Sequence, residues 1–439
     1  MYQLRPYQIE DVQTILSHKM VLGIFSEQRT GKTPTVLTAL SEANATTLVV
    51  CPNTLRYQWL KELQQWTNLS GIIVNKAADF NLDAEVYIVN YEKFSRNTGT
   101  MSEIQAAIVL QQFDCIVLDE AQAIKSRNST TSKNIRKCAL HIPGRLALTG
   151  TPADDKAVDV WAILNFLDPK RFSSYWNFCN EYLLWDTVWT PNGPKKIPGP
   201  PKNAAVWSAL LHKYAIQHKR AEVMNWDTTV EPIDIVVEPT KLMRAQLKSL
   251  QETFQSEDYV CQGVLDRVTR YRQVCLIPTA QASLDDCPKL KWTSDYIREH
   301  PTESVIVFCT FKGPLQFILS LLSDVPTGLI TGNVPIERRQ KLVDAFQAGA
   351  IRVLFIQTET GATGLTLDRA DTTIFLDVFP PVSTYLQAKD RAVPTDATRC
   401  HPQSLYRLAV NGTFDVKIRD AIDERKSVNA VINDFSTFK

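Results

Sequence analysis

At 439 residues the chain is longer than one hydrophobic core usually organises, so two or three domains are expected. Its composition, 44% hydrophobic and 22% charged, is that of an ordinary globular protein and excludes a long disordered tail. A net charge of +1 excludes the global basic excess of many nucleic-acid binders, while leaving room for a local basic stripe along one groove.

The start, MYQLRPYQIEDVQ, is polar and runs straight into a folded pattern, unlike a signal or transit peptide. Apolar stretches such as Val305–Phe308 and Val353–Ile356 have the length of strands and fall short of a bilayer, so a cytoplasmic protein without a membrane span is expected. The nine cysteines form no CxxC pair and lie mostly in apolar segments, which suits reduced, buried thiols rather than structural zinc.

Strand-like runs then alternate with helical patterns. TTLVVCP, EVYIVNY, DCIVLDE and RLALTGT form a first set, and ESVIVFCT, TGLIT, IRVLFIQT and TTIFLD a second. Such alternation predicts an α/β fold with two parallel sheets. Between the sets the strand signal thins, predicting a mainly helical insert and the boundaries 1–167, 168–288 and 289–439. The insert carries Trp176, Trp185, Trp189, Trp207 and Trp226, read as helical core. Its segment TPNGPKKIPGPPK has enough Pro and Gly to preclude regular structure and is read as a loop or hairpin tip, with Lys195 and Lys196 placed to touch a duplex or a fork.

Two motifs carry chemistry. SEQRTGKT (Ser26 to Thr33) sits between an apolar strand and a helical pattern, the context in which backbone N–H groups and a helix N-terminus converge on phosphates. Arg29, Thr30, Gly31, Lys32 and Thr33 are therefore the candidate phosphate loop, with the Lys32 amine on the β and γ phosphates and the Thr33 hydroxyl on magnesium. FDCIVLDEAQ is an apolar strand ending in two adjacent carboxylates. Asp119 is the candidate magnesium ligand, and Glu120 the candidate base for an attacking water.

DEAQAIKSRNSTTSK and RLALTGTPADDKAVDVWAILNFLDP resemble motifs II and III of superfamily-two helicases, in particular the Swi/Snf-type ATPases of compact phage or bacterial kind. The resemblance spans nearly the whole chain. LRPYQ resembles the adenine-reading motif, with Gln8 at the adenine edge; LVVCPNTLRYQW and VNYEKF resemble DNA-facing motifs; RYRQVCLIP, VIVFCTFKGPL, LITGNVPIERRQKLVDAFQ, ETGATGLTLDRADTTIFLD and YLQAKDRA resemble the elements of a second lobe; LYRLAVNGTFDVKIRDAI resembles the closing helix. The resemblance implies two RecA-like lobes of the P-loop NTPase type that hold ATP and Mg2+ between them. It places Gln122 at the nucleotide, Gly361, Gly364, Gln387 and Arg391 as the second lobe's share, and Thr149, Gly150 and Thr151 as a coupling turn. It implies a sequence-tolerant DNA face made of Thr54, Arg56, Tyr91, Lys93, Thr310, Lys312, Thr331, Gly332 and Thr360, which would bind phosphates and not bases.

One position departs from the family. Motif VI usually carries a second arginine three residues after the first, and here that position is Pro394. Arg391 is the preferred γ-phosphate arginine, with Arg399 or slow hydrolysis as the alternatives. The expectation is thus a DNA-dependent ATPase that translocates on duplex, forked or branched DNA as a monomer, with protein partners unassigned. The alternatives are an ATP-switched DNA clamp and the motor subunit of a larger complex.

Overall fold

The computed structural model describes residues 3–95, 102–153, 156–190, 193–224, 230–256, 259–361, 365–379, 381–394, 401–424, 431 and 434–435. It divides into two compact units, Met1–Met224 and Asn225–Lys439. Among the described residues, no helix is long and apolar enough to cross a membrane.

The first unit is built on β1 (Val21–Ile24), β2 (Thr47–Cys51), β3 (Gly71–Ile73), β4 (Val86–Asn90), β5 (Cys115–Asp119) and β6 (Gly144–Leu148). Its later part adds β7 (Leu183–Thr190), β8 (Gly193–Pro201) and β9 (Ala215–Ile216). Seven of these strands form one parallel sheet in the order β3-β4-β2-β5-β6-β1-β9. β2 and β4 are buried along their whole length because helices cover both faces, and such strands read as continuous apolar runs. Alternation divides their side chains between two cores: Leu48, Val50, Tyr87 and Val89 enter one, Val49, Cys51, Val86 and Ile88 the other.

The second unit contains β10 (Pro232–Val237), β11 (Gln255–Ser256), β12 (Tyr259–Val260), β13 (Val305–Cys309), β14 (Thr327–Ile330), β15 (Val353–Gln357), β16 (Thr372–Phe375) and β17 (Ser404–Val410). Six of them form a second parallel sheet, β10-β17-β16-β13-β15-β14. The expected α/β architecture with two parallel sheets is thus present. The eight described cysteines are free and buried.

Three expectations need correction. Residues 168–288 do not stand apart as a helical insert: β9 extends the first sheet beside β1, β10 extends the second beside β17, and the units part after Met224. The Pro-rich segment belongs to a hairpin, as one of its two readings had it, but it is not irregular, since β8 pairs antiparallel with β7 from Thr190↔Gly193 to Leu183↔Pro201. Proline is tolerated there because an isolated two-stranded ribbon has edges that need no N–H donor. LYRLAVNGTFDVKIRDAI is a strand before it is a helix: Ser404–Val410 is β17, and only Phe414–Asp423 is helical.

The second sheet is fixed by buried ion pairs at the C-terminal ends of its central strands. Lys289, at 0% exposure, donates to the Leu376 carbonyl at 2.9 Å and pairs with Asp415. Arg272 pairs with Asp377 at 2.5 Å. Burial alone would raise the Asp377 carboxyl, yet Arg272 and the Thr310 amide hold it below the ordinary carboxylate range. Midway along β17, the buried Arg407 bridges two partly exposed carboxylates, Asp234 of the edge strand β10 at 2.8 Å and Asp423 at 2.6 Å. Removing one partner of such a pair leaves a buried charge uncompensated. Lys289→Met should therefore lower the stability of the second unit by about 3–5 kcal/mol in urea unfolding. An unchanged midpoint would contradict the role given to this pair.

Candidate functional site

The loop that follows β1 is shaped by backbone geometry. Gly31 has φ +76° and caps the helix Lys32–Ala43. This is the left-handed region that glycine enters without strain, and a Cβ there would strike the Gln8 amide. Gln8 is buried; its Nε2 donates to the Gly31 carbonyl at 3.1 Å, and its Oε1 accepts from the Arg5 amide at 2.8 Å. The Tyr7 hydroxyl donates to the Thr30 carbonyl at 2.7 Å. The helix Pro6–Ser17 is thereby clamped to the loop, and Gln8, expected at an adenine edge, has both ends of its amide engaged within the chain. Arg29 also adopts positive φ, at 69°. The Thr30 hydroxyl donates to Glu27 at 2.8 Å, and the Lys32 amine donates to the carbonyls of Ser26 at 2.8 Å and Glu27 at 3.0 Å. Thr33 follows in the first helical turn.

β5 ends at Asp119, and Glu120 turns the chain with φ 53°. Asp119 accepts from the Trp59 indole at 2.7 Å and from the Glu120 amide at 3.0 Å. Desolvation at the partly buried strand end, then the neighbouring Glu120 charge, push its carboxyl up to about 7 against the opposing pull of Trp59 and Lys32. Glu120 is held from both sides, by Gln28 at 3.3 Å and Gln122 at 2.8 Å. The Thr149 hydroxyl donates to Gln122 Oε1 at 2.7 Å and accepts from the Thr151 amide at 3.0 Å. Gly150 leaves room for Gln28, whose Nε2 would lie 3.4 Å from a Cβ at that position. One hydrogen-bonded path thus joins the loop, the carboxylates and the turn after β6.

Among the described residues, no group of three or more His, Cys, Asp or Glu could hold a metal. Thr33 and Asp119 offer hard oxygen donors. Such a donor set fits Mg2+, which takes one or two protein oxygens beside phosphate and water.

Of the residues assigned to a DNA face, Arg56 and Lys93 converge on Asn75: Arg56 donates to its Oδ1 at 2.9 Å, and Lys93 to its carbonyl at 2.6 Å. Thr54 lies in the turn Asn53–Leu55 just before Arg56. Tyr91 is turned inward at 8% exposure, and its hydroxyl donates to the Asp119 carbonyl at 2.8 Å, so its geometry braces the carboxylate strand and does not suit a surface contact.

In the second unit Gln357 bridges two of the candidates, donating to the Thr310 carbonyl at 3.3 Å and accepting from the Gly332 amide at 3.2 Å. Lys312 donates to Asn333 at 3.0 Å. The Thr310 hydroxyl accepts from Arg272 at 2.9 Å. Thr331 is buried, against its expected place on a surface, while Thr360 lies close to Gly332 in the helix Thr358–Gly361. Gly361 is packed so tightly on Phe308 and Ile356 that a Cβ would collide with both. Gln387 lies in the last turn of the helix Val382–Lys389, and Arg391 just beyond it, both largely buried. Gly364, Trp226 and Arg399 lie outside the described residues, as does the side chain of Trp189.

Sequence reasoning gave no role to Gln28, Trp59, Arg272, Gln357 or Asp377. Gln28 and Trp59 fall inside quoted motifs, and a buried indole needs an acceptor, but the partner of each is set by tertiary packing.

Residues 7–260 match the SNF2-related domain, and residues 288–393 match the helicase conserved C-terminal domain. The chain is 23% identical over 445 residues to the human "DNA annealing helicase and endonuclease ZRANB3", a match covering 97% of this chain and 40% of the relative. It is 22% identical to an "Uncharacterized ATP-dependent helicase" of Mycoplasma pneumoniae, covering 99% of this chain and 43% of that protein. The chain thus spans about two fifths of the length of these relatives. The solved "Sulfolobus solfataricus SWI2/SNF2 ATPase core in complex with dsDNA" aligns with a TM-score of 0.45 at 19% identity, covering 99% of this chain and 94% of that one.

The raised Asp119 carboxyl sets a pH dependence. Its folded pKa of about 7 exceeds the ordinary 3.8, so the folded chain binds the extra proton between these values and loses stability as pH rises through that window. Asp119→Asn removes this effect. In thermal melts without metal or nucleotide, the variant should gain on the parent from about pH 5 to about pH 8, by about 2–4 kcal/mol. A constant gap across that range would contradict the burial account of Asp119.

Proposed function

The chain belongs to the SNF2-related family of DNA-dependent ATPases, and on that premise we propose that it is an ATP-driven motor that moves on double-stranded or branched DNA. The observation that carries the proposal is the bonded path from Gln28 through Glu120 and Gln122 to Thr149, because it connects the phosphate loop to a turn that can report on the neighbouring strands.

In this reading the amides of Arg29 to Thr33 and the Lys32 amine hold the phosphates, and Thr33 and Asp119 hold Mg2+. When bound, the ion neutralises charge on the phosphates during transfer. Glu120 accepts the proton of the attacking water. Gln28 and Gln122 fix both of its oxygens, so its orientation is set before substrate arrives. Any change at Thr149 to Thr151 alters the bond that holds Gln122, which gives the turn its coupling role. Gln8 acts by stiffening the loop at Gly31. From the second unit, Gln387 and Arg391 serve the γ phosphate, with Pro394 standing where the family's second arginine would be.

DNA contacts are assigned to Thr54, Arg56 and Lys93 of the first unit and to Thr310, Lys312, Gly332 and Thr360 of the second. Hydroxyls, cations and backbone amides bind phosphates and carry no base code, so such contacts serve duplexes, forks and junctions alike. Remodelling, fork reversal and branch migration all draw on such a motor.

Lys32→Ala and Glu120→Gln should each reduce ATP turnover by about 100-fold or more, but only the glutamine variant should keep parental ATP affinity. Near-parental hydrolysis by Glu120→Gln would remove it as the base. Arg391→Ala should lower turnover by about 1,000-fold with nucleotide binding to the first unit retained. Affinity for duplex DNA should fall steeply with salt and barely vary with sequence. A flat salt dependence would overturn the assigned face.

A further inference from the structure

The first unit exposes an aromatic surface that the motor reading leaves unused. Trp176, on the helix Tyr175–Tyr182, is 53% exposed and stacks on Trp185 of β7 at 6.0 Å between centroids with a 22° tilt. Residues of the β7–β8 ribbon alternate between its faces, so Trp185 and Thr187 share a face with their cross-strand partners Pro198 and Lys196. The one carboxylate of the ribbon, Asp186, lies on the opposite face against Gly199. A cation, an exposed indole and a half-buried one thus share one surface, without a neighbouring acid on that face of the ribbon.

Packed rings, among them the buried Trp161, join this surface to a basic pocket. Arg127 lies over the rings of Tyr175 at 4.0 Å and Trp176 at 5.3 Å. Tyr175 meets Trp161 edge-on at 5.4 Å, and Arg136 lies over Trp161 at 5.0 Å. Arg136 lines a cavity of about 350 Å³ together with Lys133, Lys137 and Arg145, and no Asp or Glu is among its lining residues. Ser173, three residues before Trp176, lines the same cavity. Lys133 and Lys137 stand one helical turn apart, a like-charge spacing that an anion would relieve.

We propose that this surface binds an unpaired DNA strand, with bases stacked on Trp176 and Trp185 and phosphates directed to Lys196 and the basic pocket. Aromatic faces beside tracked cations are how single strands are held without sequence preference, since every base has a π-face. A peptide added at the β8 edge is the poorer occupant, because Pro194, Pro198, Pro200 and Pro201 offer no N–H to a further strand. The site goes beyond the duplex contacts already assigned, and it gives the motor a way to recognise a branch. The ladder from Trp185 to Arg127 ends seven residues after Glu120, so an occupied site bears on the segment that follows the carboxylates.

The test is fluorescence anisotropy without nucleotide, using the full chain with fluorescein-labelled oligothymidine and with a blunt duplex. Trp176→Ala should weaken oligothymidine binding by about fivefold or more and leave blunt-duplex affinity within about twofold. Trp176→Phe, which keeps an aromatic face, should retain most of the affinity, and Lys196→Glu should weaken the single strand more than the duplex. Equal oligothymidine binding by Trp176→Ala and the parent would overturn the proposal. So would a parallel loss on both probes, or a change confined to the sedimentation of the protein, which would assign the face to a second copy. Failure of the motor reading would instead appear as ATP turnover indifferent to duplex DNA, a separate measurement.

Discussion

Three parallel strands, β1, β6 and β5, lie side by side in the first sheet, and their shared direction brings three chain turns to one edge. The phosphate-loop candidate follows β1, the Thr149 turn follows β6, and Asp119 ends β5. Because β6 separates the other two, a signal between the loop and the carboxylates has its turn as a direct neighbour. The hydrogen bonds follow that order: Gln28 reaches across to Glu120, and Thr149 reaches Glu120 only through Gln122. A parallel sheet with central strands buried on both faces is what holds these turns in place.

The second sheet reaches a comparable precision by other means. Its central strands end in buried charge, with Arg272 tied to Asp377 and to the Thr310 hydroxyl, and Lys289 tied to Asp415 and the Leu376 carbonyl. Gln357 then joins the turns after β13 and β14. Arg272 also lies over Phe379 at 4.1 Å, so the guanidinium is held by ring, carboxylate and hydroxyl together. These contacts are costly to desolvate and specific in geometry, which suits turns that must keep one shape.

Much of this was legible in the sequence. All eight strands read from TTLVVCP, EVYIVNY, DCIVLDE, RLALTGT, ESVIVFCT, TGLIT, IRVLFIQT and TTIFLD are present, seven of them because interior parallel strands are apolar throughout, while TGLIT is the edge strand β14. Apart from β17, an interior strand hidden in a segment read as a closing helix, the strands that escaped are at edges or outside the sheets: β3 has three half-buried residues, β9 has two residues, and β10 alternates as a half-exposed edge does. β8 escaped because its prolines argue against a central strand but permit a ribbon. The carboxylates and the loop were legible because chemistry confines their residue types. Gln28, Trp59 and Gln357 were not, since any polar residue of the right reach satisfies local sequence, and only the fold decides what it meets. Tyr91 and Thr331 failed as surface residues for the same reason: a motif position fixes an address on a strand end and not the direction of its side chain.

The central claim is that one strand edge couples phosphate chemistry to DNA. It is tested most directly by steady-state, magnesium-dependent ATP hydrolysis of the parental chain, measured alone and with single-stranded, duplex, forked and four-way DNA. The account predicts a low rate for the protein alone and a strong rise with duplex or branched DNA that is independent of base sequence and lost at high salt. A rate unchanged by every DNA would contradict it.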